Sequence, residues 1–378
     1  MVSKYKAGFY RQQDGYKSFQ PTLINGRFEW SDKRIDLLLA DAMRYLGELN
    51  AYSKLVPDVD FFIKMHIMKE ATNSSKIEGT HTNIDEALLP KQEVDLEKRD
   101  DWEEVQNYVK AINYSIAQLE NLPLSLRLVK DTHKVLLSSV RGYTKLPGQI
   151  RDTQNWIGGA TLKDAAFIPP YHLELGELLS DLERFWHNKE IDVPDLIKIA
   201  LSHYQFETIH PFLDGNGRVG RLLITLHLVS LGILQKPTLY ISDFLEKHRP
   251  QYYDGLSRVR ESNDMEHWIR FFLTGIVTTA KSARETLEKI IDLRKKYESA
   301  IEGNISPRRH KLAKDLLQQL YSQPVVTIRD IESMLSVTFP TASALAKDFE
   351  KQGLFIEKTK FKKDRVFYLK EYLDLFTT

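Results

Sequence analysis

The residues whose types and spacing could do chemistry are concentrated in one short run, from His210 to Arg221, which reads HPFLDGNGRVGR. Its centre is the turn Gly215-Asn216-Gly217. Glycine adopts positive φ without strain, so this turn can present successive backbone N–H groups to an anion. A helix predicted over 217–234 follows, and its first turn adds unpaired N–H donors and a positive dipole end. The run therefore predicts a phosphate-binding site.

Two arginines strengthen this prediction. Arg218 and Arg221 are three residues apart, so their guanidinium groups share one helix face and can each grip phosphate oxygens in a bidentate manner.

His210 and Asp214 would supply the reactive groups. A helix predicted over 193–209 should end near His210, because Pro211 disfavours the αR region for the residue before it. The imidazole is neutral near pH 7 and can take a proton from a hydroxyl. Asp214 would repel a phosphate but suits Mg²⁺, which phosphates recruit. A base, a metal ligand and an anion site together predict phosphoryl or nucleotidyl transfer.

The run His210–Arg221 resembles the signature of the Fic family, H-P-F-x-[D/E]-G-N-G-R-x-x-R, with every defined position filled. Members of that family mostly transfer AMP from ATP to a Ser, Thr or Tyr hydroxyl of a target protein. The resemblance implies that His210 is the base, that Asp214 holds Mg²⁺ and that the Gly215–Gly217 turn binds the α- and β-phosphates. It also implies that Arg218 and Arg221 engage the far end of the triphosphate.

A second stretch, Ser74-x-x-x-Glu78-Gly79, resembles the inhibitory motif of the same family, [S/T]-x-x-x-E-[G/N]. Because it precedes the central run, it is typical of members with an N-terminal inhibitory helix. The resemblance implies that Glu78 pairs with Arg221 and keeps it from the γ-phosphate of ATP. It also leaves open a second role, in which Glu78 activates water to reverse the modification.

A third stretch, 149–168, resembles the flap with which the family holds the target by strand addition. Trp156, Ile157 and Gly158 form the tip that would clamp the target segment. Downstream, Tyr240 and the pair Tyr252 and Tyr253 are candidates for the adenine pocket, since aromatic rings offer a flat apolar slot.

Each motif also has a purely structural interpretation. The glycine turn could simply cap a buried helix, and Glu78 could be an ordinary solvated carboxylate. Trp156 could pack the hairpin on the helical body, and the tyrosines could belong to the core.

A rival chemical interpretation uses the same helix. His203, Glu207 and His210 are spaced so that they could face one way as metal ligands. Pro211 bends the chain at the third of these residues, however, and a metal site would leave the anion-binding turn unexplained.

Outside these motifs the sequence predicts a mostly α protein, a helical bundle of the Fic type with an inserted β-hairpin flap. A small winged helix-turn-helix domain would follow. We expect an N-terminal arm and helical region over 1–110, a catalytic core over 111–302 and the winged helix over 306–378. The linker is placed at Glu302–Pro307. Further predicted helices start at Ser31 and Asp101 and span 58–77, 83–90, 124–137, 173–187, 248–260 and 264–300, whereas 91–101 is predicted to be a solvated loop.

The predicted wing is basic, which suits the phosphate backbone of DNA. Its charged residues are Lys358, Lys360, Lys362, Lys363, Asp364, Arg365 and Lys370. The predicted recognition helix over 341–352 has two lysines and two acidic residues but no arginine, the usual reader of guanine. DNA binding and protein binding both stay open for this domain.

The 378 residues carry a formal net charge of +1, which excludes a strongly basic surface overall. The chain has no cysteine, so disulfides, thiolate metal sites and a cysteine nucleophile are excluded. We expect neither a signal peptide nor a membrane span, and we expect a cytoplasmic location.

The expected partners are ATP, a hydroxyl-bearing target protein and, from the exposed apolar helices, a second copy of the chain. Two other functions remain: transfer of a different phosphate-linked group, and a DNA-bound regulator that senses nucleotide.

Overall fold

The computed structural model describes residues 5–56, 59–138, 144–357 and 365–377. The protein is mostly helical and carries two small antiparallel sheets. Its helices are α1 (Lys33–Leu55), α2 (Val59–Ile77), α3 (Ile84–Ala87), α4 (Arg99–Leu119), α5 (Leu126–Leu136), α6 (Leu175–His187), α7 (Asp195–Ile209), α8 (Asn216–Ser230), α9 (Ser242–Lys247), α10 (Arg249–Ser262), α11 (Met265–Asn304), α12 (His310–Leu320), α13 (Ile328–Leu335), α14 (Phe339–Lys351) and α15 (Lys370–Thr377). Its strands are β1 (Gly8–Gln12), β2 (Lys17–Pro21), β3 (Val325–Thr327), β4 (Phe355–Glu357) and β5 (Val366–Leu369). No helix in the described ranges is both long and apolar enough to cross a bilayer.

Helices α7 and α8 form the centre of the molecule. Every residue of α7 from Leu196 to Ile209 is buried, and so is nearly all of α8. A helix that is apolar or buried on all sides must be enclosed by other elements. Helices α4, α5 and α6 and the long α11 pack around these two. The connection between α7 and α8, which carries the His210–Arg221 run, is therefore held on a rigid scaffold.

The first helix and the long helix α11 make the most extensive helix pair of the fold. Helix α1 begins where predicted, with the Asp32 carboxylate accepting a hydrogen bond from the Arg34 N–H at 3.0 Å, as an N-cap does. Helix α11 continues through Asn304, three residues into the predicted linker Glu302–Pro307. Its buried stripe extends to Ile301, and this packing explains why the helix does not stop earlier.

The hairpin of β1 and β2 covers the segment predicted to be the flap. The two strands pair from Gly8 with Pro21 to Gln12 with Lys17. The Phe19 N–H then donates to the Ile168 carbonyl at 2.9 Å, which joins the hairpin to the end of the flap. The predicted N-terminal arm thus forms this hairpin and contacts the end of the predicted flap.

The described part of the C-terminal segment runs helix, strand, helix, helix, strand, strand, in the predicted order. Its sheet has the order β3-β5-β4, with both pairs antiparallel. The lysines predicted to form a basic wing, from Lys358 to Lys363, and Asp364 lie outside the described residues.

Helix α15, which was not predicted, packs against helix α2. The ring of Phe62 on α2 lies 5.3 Å from that of Tyr321 and 6.0 Å from that of Tyr372. The His66 ring meets Phe376 edge to face at 5.1 Å. The first half of α2 is thus covered by the C-terminal segment.

Two local predictions were wrong. The stretch 91–101, predicted as a loop, contains two single turns of 3₁₀ helix, and α4 begins at Arg99 rather than Asp101. The stretch 149–168, predicted to be a β-hairpin, has no strand at residues 149–151, because the Arg151 N–H donates to the Pro211 carbonyl instead. The flap keeps one antiparallel bridge, between Ile157 and Phe167.

Candidate active site

His210 is the C-cap residue of α7, and the end of this helix fixes its position. Its backbone has φ 49° and ψ 61°, the left-handed conformation, and its N–H donates to the Phe206 carbonyl at 2.9 Å. Pro211 thus removes its predecessor from the αR region as predicted. On the ring, Nδ1 lies 3.4 Å from the Glu207 carbonyl, which favours a proton on Nδ1 and leaves Nε2 as the free acceptor. Burial lowers the pKa of His210 to about 4, so the imidazole is neutral at pH 7.

The turn between Asp214 and Gly217 is built by side chains as well as by glycine. Gly215 has φ 76°, and its N–H donates to Oδ1 of Asp214 at 2.6 Å. Asn216 accepts from the Phe212 N–H and donates to the Phe212 carbonyl, each at 2.8 Å. The Asn216 side chain therefore shapes the turn, while the start of α8 faces the site.

Arg221 lies at the centre of a cage made by the predicted inhibitory motif. Its guanidinium donates to the Ser74 hydroxyl at 2.8 Å, to the Ser74 carbonyl at 2.9 Å and to Oε1 of Glu78 at 2.7 Å. Only 1% of the Arg221 side chain is exposed. Burial alone would raise the pKa of Glu78, but the charge of Arg221 outweighs it and the net shift is downward. The pair is therefore ionised on both sides at pH 7.

Two glycines make room for this pair. Gly79 has φ 105° and turns the chain just after Glu78, close to the C-terminal end of α2. Gly217 lies against the Glu78 carboxylate, and a Cβ at that position would fall on Oε1 of Glu78. The lack of a side chain at Gly217, at the start of α8, is thus also what allows Glu78 to reach Arg221.

Arg218 has a partner that the sequence did not indicate. Its Nη1 lies 3.0 Å from Oε2 of Glu104 on α4, and its Nη2 lies 3.6 Å from Oδ1 of Asp214. Glu104 is 114 residues earlier, and no spacing pattern connects the two. Asp214 itself is about half exposed, so its carboxylate remains open to solvent.

The rival interpretation of His203, Glu207 and His210 as metal ligands is not supported by the structure. Nδ1 of His203 lies 2.9 Å from the Gly220 carbonyl, and Nε2 lies 3.0 Å from the Tyr252 hydroxyl, so both ring nitrogens are engaged. Among the described residues, no group of three or more acidic, His or Cys side chains could hold a metal. Glu207 is buried, and its Oε1 has no hydrogen-bond partner in the described part of the chain. Burial raises its pKa to about 7.

The three candidate tyrosines lie in different surroundings. Tyr252 is buried and bonds to His203. Tyr253 is 40% exposed, and Glu78 and Arg221 are among the charges that act on its hydroxyl. Tyr240 lines a cavity with Glu70 and the start of α9, and its buried hydroxyl has no partner among the described residues. Of the three, Tyr253 is the ring that is both exposed and near the Glu78–Arg221 pair.

The flap tip is open where it would meet a target. Trp156 is 39% exposed, and Ile157 forms the bridge to Phe167 with hydrogen bonds of 2.8 and 3.1 Å. Gly158 and Gly159 follow with φ of 68° and 74°. The structure thus places the predicted clamp residues at an accessible turn.

Three further residues that support the site carried no recognisable sequence signal. His133 stacks on Phe212 with ring centroids 3.8 Å apart, and its Nε2 lies 2.9 Å from the Asp214 carbonyl. Arg151 and Asn155, at the start of the predicted flap, donate to carbonyls of the connection between α7 and α8, those of His210 and Phe212 respectively. An isolated His, Arg or Asn has no periodicity, so only the fold reveals these contacts.

Comparison with known proteins gives two family matches. Residues 37–117 match the model described as "Fic/DOC family N-terminal", and residues 123–228 match the one described as "Fic/DOC family". The first contains the Ser74–Gly79 motif and the second contains the whole His210–Arg221 run.

Curated relatives agree with these matches. A protein adenylyltransferase Fic from Culex quinquefasciatus is 29% identical over 255 residues, which is 65% of this chain and 45% of that protein. The one from Aedes aegypti is 29% identical over 205 residues, or 53% and 38% of the two chains. The chain spans about half the length of the curated relatives it matches.

Solved structures share the fold. A Fic family protein from Desulfovibrio desulfuricans G20 superposes with a TM-score of 0.58 at 17% identity, over 91% of this chain and 98% of that one. A Fic domain containing signaling protein from Bacteroides thetaiotaomicron gives a TM-score of 0.52 at 18% identity, over 68% and 97%.

Proposed function

The chain belongs to the Fic/DOC family across residues 37–117 and 123–228, and we propose that it is a protein adenylyltransferase held inactive by its own Glu78. One observation carries this proposal. The neutral imidazole of His210 precedes the start of α8, which would bind the phosphates, and Arg221 of α8 is ion-paired with Glu78.

The reaction is an in-line displacement at the α-phosphorus of ATP. The hydroxyl oxygen of a Ser, Thr or Tyr on the target protein forms a bond to phosphorus, and Nε2 of His210 takes the hydroxyl proton. The bond between the α-phosphorus and its bridging oxygen breaks, and pyrophosphate leaves. The N–H groups at the start of α8, with Arg218 and Arg221, would stabilise the charge on the phosphates.

Asp214 fits the role of a Mg²⁺ ligand. Its carboxylate is half exposed beside the glycine turn, and within the described part of the chain only its Oδ1 is engaged, by Gly215 and Arg218. A single carboxylate with substrate phosphates and waters is a common way to hold Mg²⁺. Bound there, Mg²⁺ would neutralise phosphate charge.

The inhibition is electrostatic. While Glu78 holds Arg221, this arginine cannot reach the γ-phosphate, and the Glu78 carboxylate also repels the triphosphate. ATP would then bind in a pose that does not align the α-phosphorus with the target hydroxyl. Loss of the Glu78 carboxylate frees Arg221 and activates the enzyme.

The other substrate contacts follow from placement. Tyr253 offers an exposed ring for adenine beside the Glu78–Arg221 pair. Trp156, Ile157 and Gly158 at the flap tip would align the target segment so that its hydroxyl reaches His210. The protein itself also carries exposed hydroxyls, so self-modification is expected in vitro.

Intact-mass measurement after incubation with ATP and Mg²⁺ tests this function. The wild type should gain little mass, Glu78→Gly should gain the mass of AMP, and the double variant Glu78→Gly, His210→Ala should gain none. Transfer of UMP, phosphocholine or phosphate would add a different mass when the matching donor is supplied. Equal labelling with and without His210 would overturn the proposal.

The C-terminal segment supports a second, additional role. Helices α12, α13 and α14, with a sheet of order β3-β5-β4, have the element order of a winged helix-turn-helix. We propose that residues 306–378 form such a domain, which would bind DNA through its basic wing. A gel-shift assay with genomic fragments at low salt, with and without ATP, tests this, and the absence of any shift would contradict it.

A further inference from the structure

Arg151 occupies an unusual position between the flap and the catalytic loop. Only 2% of it is exposed. Its Nε donates to the His210 carbonyl at 2.9 Å, and its backbone N–H donates to the Pro211 carbonyl at 2.9 Å. Its Nη2 donates to the Ile209 carbonyl at 3.4 Å. One residue thus binds three successive carbonyls around the proposed base.

The same guanidinium also holds both ends of the flap. Nη1 donates to the Thr153 carbonyl at 3.0 Å, and Nη2 donates to the Pro170 carbonyl at 2.7 Å. Thr153 lies near the start of the flap, and Pro170 follows its end. The flap and the loop of His210 are therefore tied together through one side chain.

Asn155 extends this clamp by one residue. Its Nδ2 donates to the Phe212 carbonyl at 2.9 Å and lies 3.4 Å from the His210 carbonyl. The carbonyls of residues 209, 210, 211 and 212 are then all bound from the segment 151–155.

The backbone of His210 explains why such a clamp is needed. A residue other than glycine in the left-handed conformation is strained by roughly 1–2 kcal/mol and keeps that conformation only where its surroundings impose it. The carbonyl bonds from Arg151 and Asn155 act directly on this peptide. Without them, the loop could relax and the ring of His210 would change direction.

The charge of Arg151 adds a second effect. Burial lowers its pKa to about 10, so it stays charged at pH 7, and no carboxylate of the described residues forms an ion pair with it. The charged groups that act on the ring of His210 are Arg151 from the flap, Glu78 near the end of α2 and Arg260 from α10, while Glu207 on its own helix contributes its carbonyl. Arg151 disfavours protonation of His210, which keeps the base available.

We propose that Arg151, assisted by Asn155, is a positioning residue that fixes the His210 imidazole in its reactive direction and couples it to the flap. This inference rests on the proposed function, because it assigns Arg151 a role in the reaction of His210. It predicts that target docking and base alignment depend on the same side chain.

The test compares two replacements of Arg151 in the active Glu78→Gly protein. Arg151→Lys keeps the charge but cannot bind the same set of carbonyls, and Arg151→Gln removes the charge as well. We expect kcat to fall about 100-fold in both, as for a base displaced by about 1 Å, with KM for ATP changed less than threefold. The acid limb of the pH–rate profile should move to higher pH in Arg151→Gln and stay in place in Arg151→Lys. Arg127→Gln, which alters an exposed arginine on α5, should match the parent.

Two outcomes would overturn the proposal: a kcat within twofold of the parent in both Arg151 variants, or identical acid limbs for Arg151→Gln and Arg151→Lys. If either variant fails to fold, Asn155→Ser provides a milder substitution in the same set of contacts. We expect it to lower kcat about tenfold, and an unchanged kcat would overturn the proposal. If the Glu78→Gly parent transfers no group, the proposed function fails, and the clamp is judged by NMR. The protonation midpoint of His210 should then rise in Arg151→Gln. An unchanged midpoint would overturn the proposed role of Arg151.

Discussion

Nη2 of Arg221 lies 2.7 Å from Oε1 of Glu78, although the two residues are 143 positions apart in the chain. Because Glu78 follows the end of α2 and Arg221 lies in α8, this contact joins two elements between which the described part of the chain forms five other α-helices. The cage around Arg221 includes Ser74 as well, so its parts can be removed one at a time.

Replacing Ser74 with Ala should weaken inhibition only in part. The variant loses the hydroxyl that accepts from Nε of Arg221 at 2.8 Å, while the Ser74 carbonyl and Glu78 still hold the guanidinium. A net hydrogen bond is worth about 1 kcal/mol, so we expect basal AMP incorporation to rise about fivefold, less than in Glu78→Gly. Ser75→Ala is the matched control, because that buried hydroxyl has no partner in the described part of the chain. Equal rates for the two serine variants would contradict this prediction.

Replacing Gly217 with Ala should open the Glu78–Arg221 pair sterically. The added methyl group would fall on Oε1 of Glu78, whereas the helical backbone of Gly217 accepts alanine. We expect Glu78→Ala to lower the free energy of unfolding by about 1.5 kcal/mol in the wild type, as for a hydrogen bond between charged groups, and by less than half of that in Gly217→Ala. Urea denaturation of the four proteins measures the coupling. The same cost in both backgrounds would show that the methyl group leaves the pair intact.

Stability should depend on pH through His203. Burial lowers its pKa to about 3 from the ordinary value of 6.5, so the unfolded chain binds its proton first as the pH falls. The contribution of His203 is therefore complete above pH 6.5 and is lost as the pH falls toward 3. Relative to His203→Gln, the unfolding free energy should drop by about 1.4 kcal/mol per pH unit between pH 6 and pH 4. A difference between the two proteins that is constant with pH would refute this.

The contribution of Glu207 to the free energy of unfolding should change with pH in the opposite direction to that of His203. Burial raises its pKa from 4.5 to about 7, so the folded protein binds this proton more tightly than the unfolded chain does. Its favourable contribution is complete below pH 4.5 and is lost as the pH rises through 7. Relative to Glu207→Gln, the wild type should lose unfolding free energy between pH 5 and pH 8, again measured in urea. If the wild type instead gains relative stability over this range, Glu207 is ionised when folded.

The local geometry of the site could be predicted from the sequence, because short-range sterics determine it. Pro211 forces His210 out of the αR region, and Gly215 has the positive φ that its place in the turn requires. The contact of Glu78 with Arg221 was expected from family resemblance alone, since no spacing rule links residues on separate helices.

The supporting contacts could not be predicted, because single polar residues carry no pattern. Glu104 lies in a charged stretch where any of several acids could have faced Arg218. Arg151 lies in the stretch 149–168, which was predicted to form a β-hairpin flap. Its long-range bonds to the carbonyls of His210 and Pro170 decide the local structure there, and these depend on the completed fold.

The two ends of helix α2 contact two different parts of the protein. Its 19 residues extend about 28 Å. The rings of Tyr321, Tyr372 and Phe376 pack against its first half. Ser74 in its last turn and Glu78 just beyond it accept hydrogen bonds from Arg221. Helix α15 and Tyr321 therefore anchor the helix that, under the proposed function, restrains the enzyme. A fragment ending before residue 310 would lose these aromatic contacts and expose Phe62 to water. Its basal rate of AMP incorporation would therefore differ from that of the intact chain.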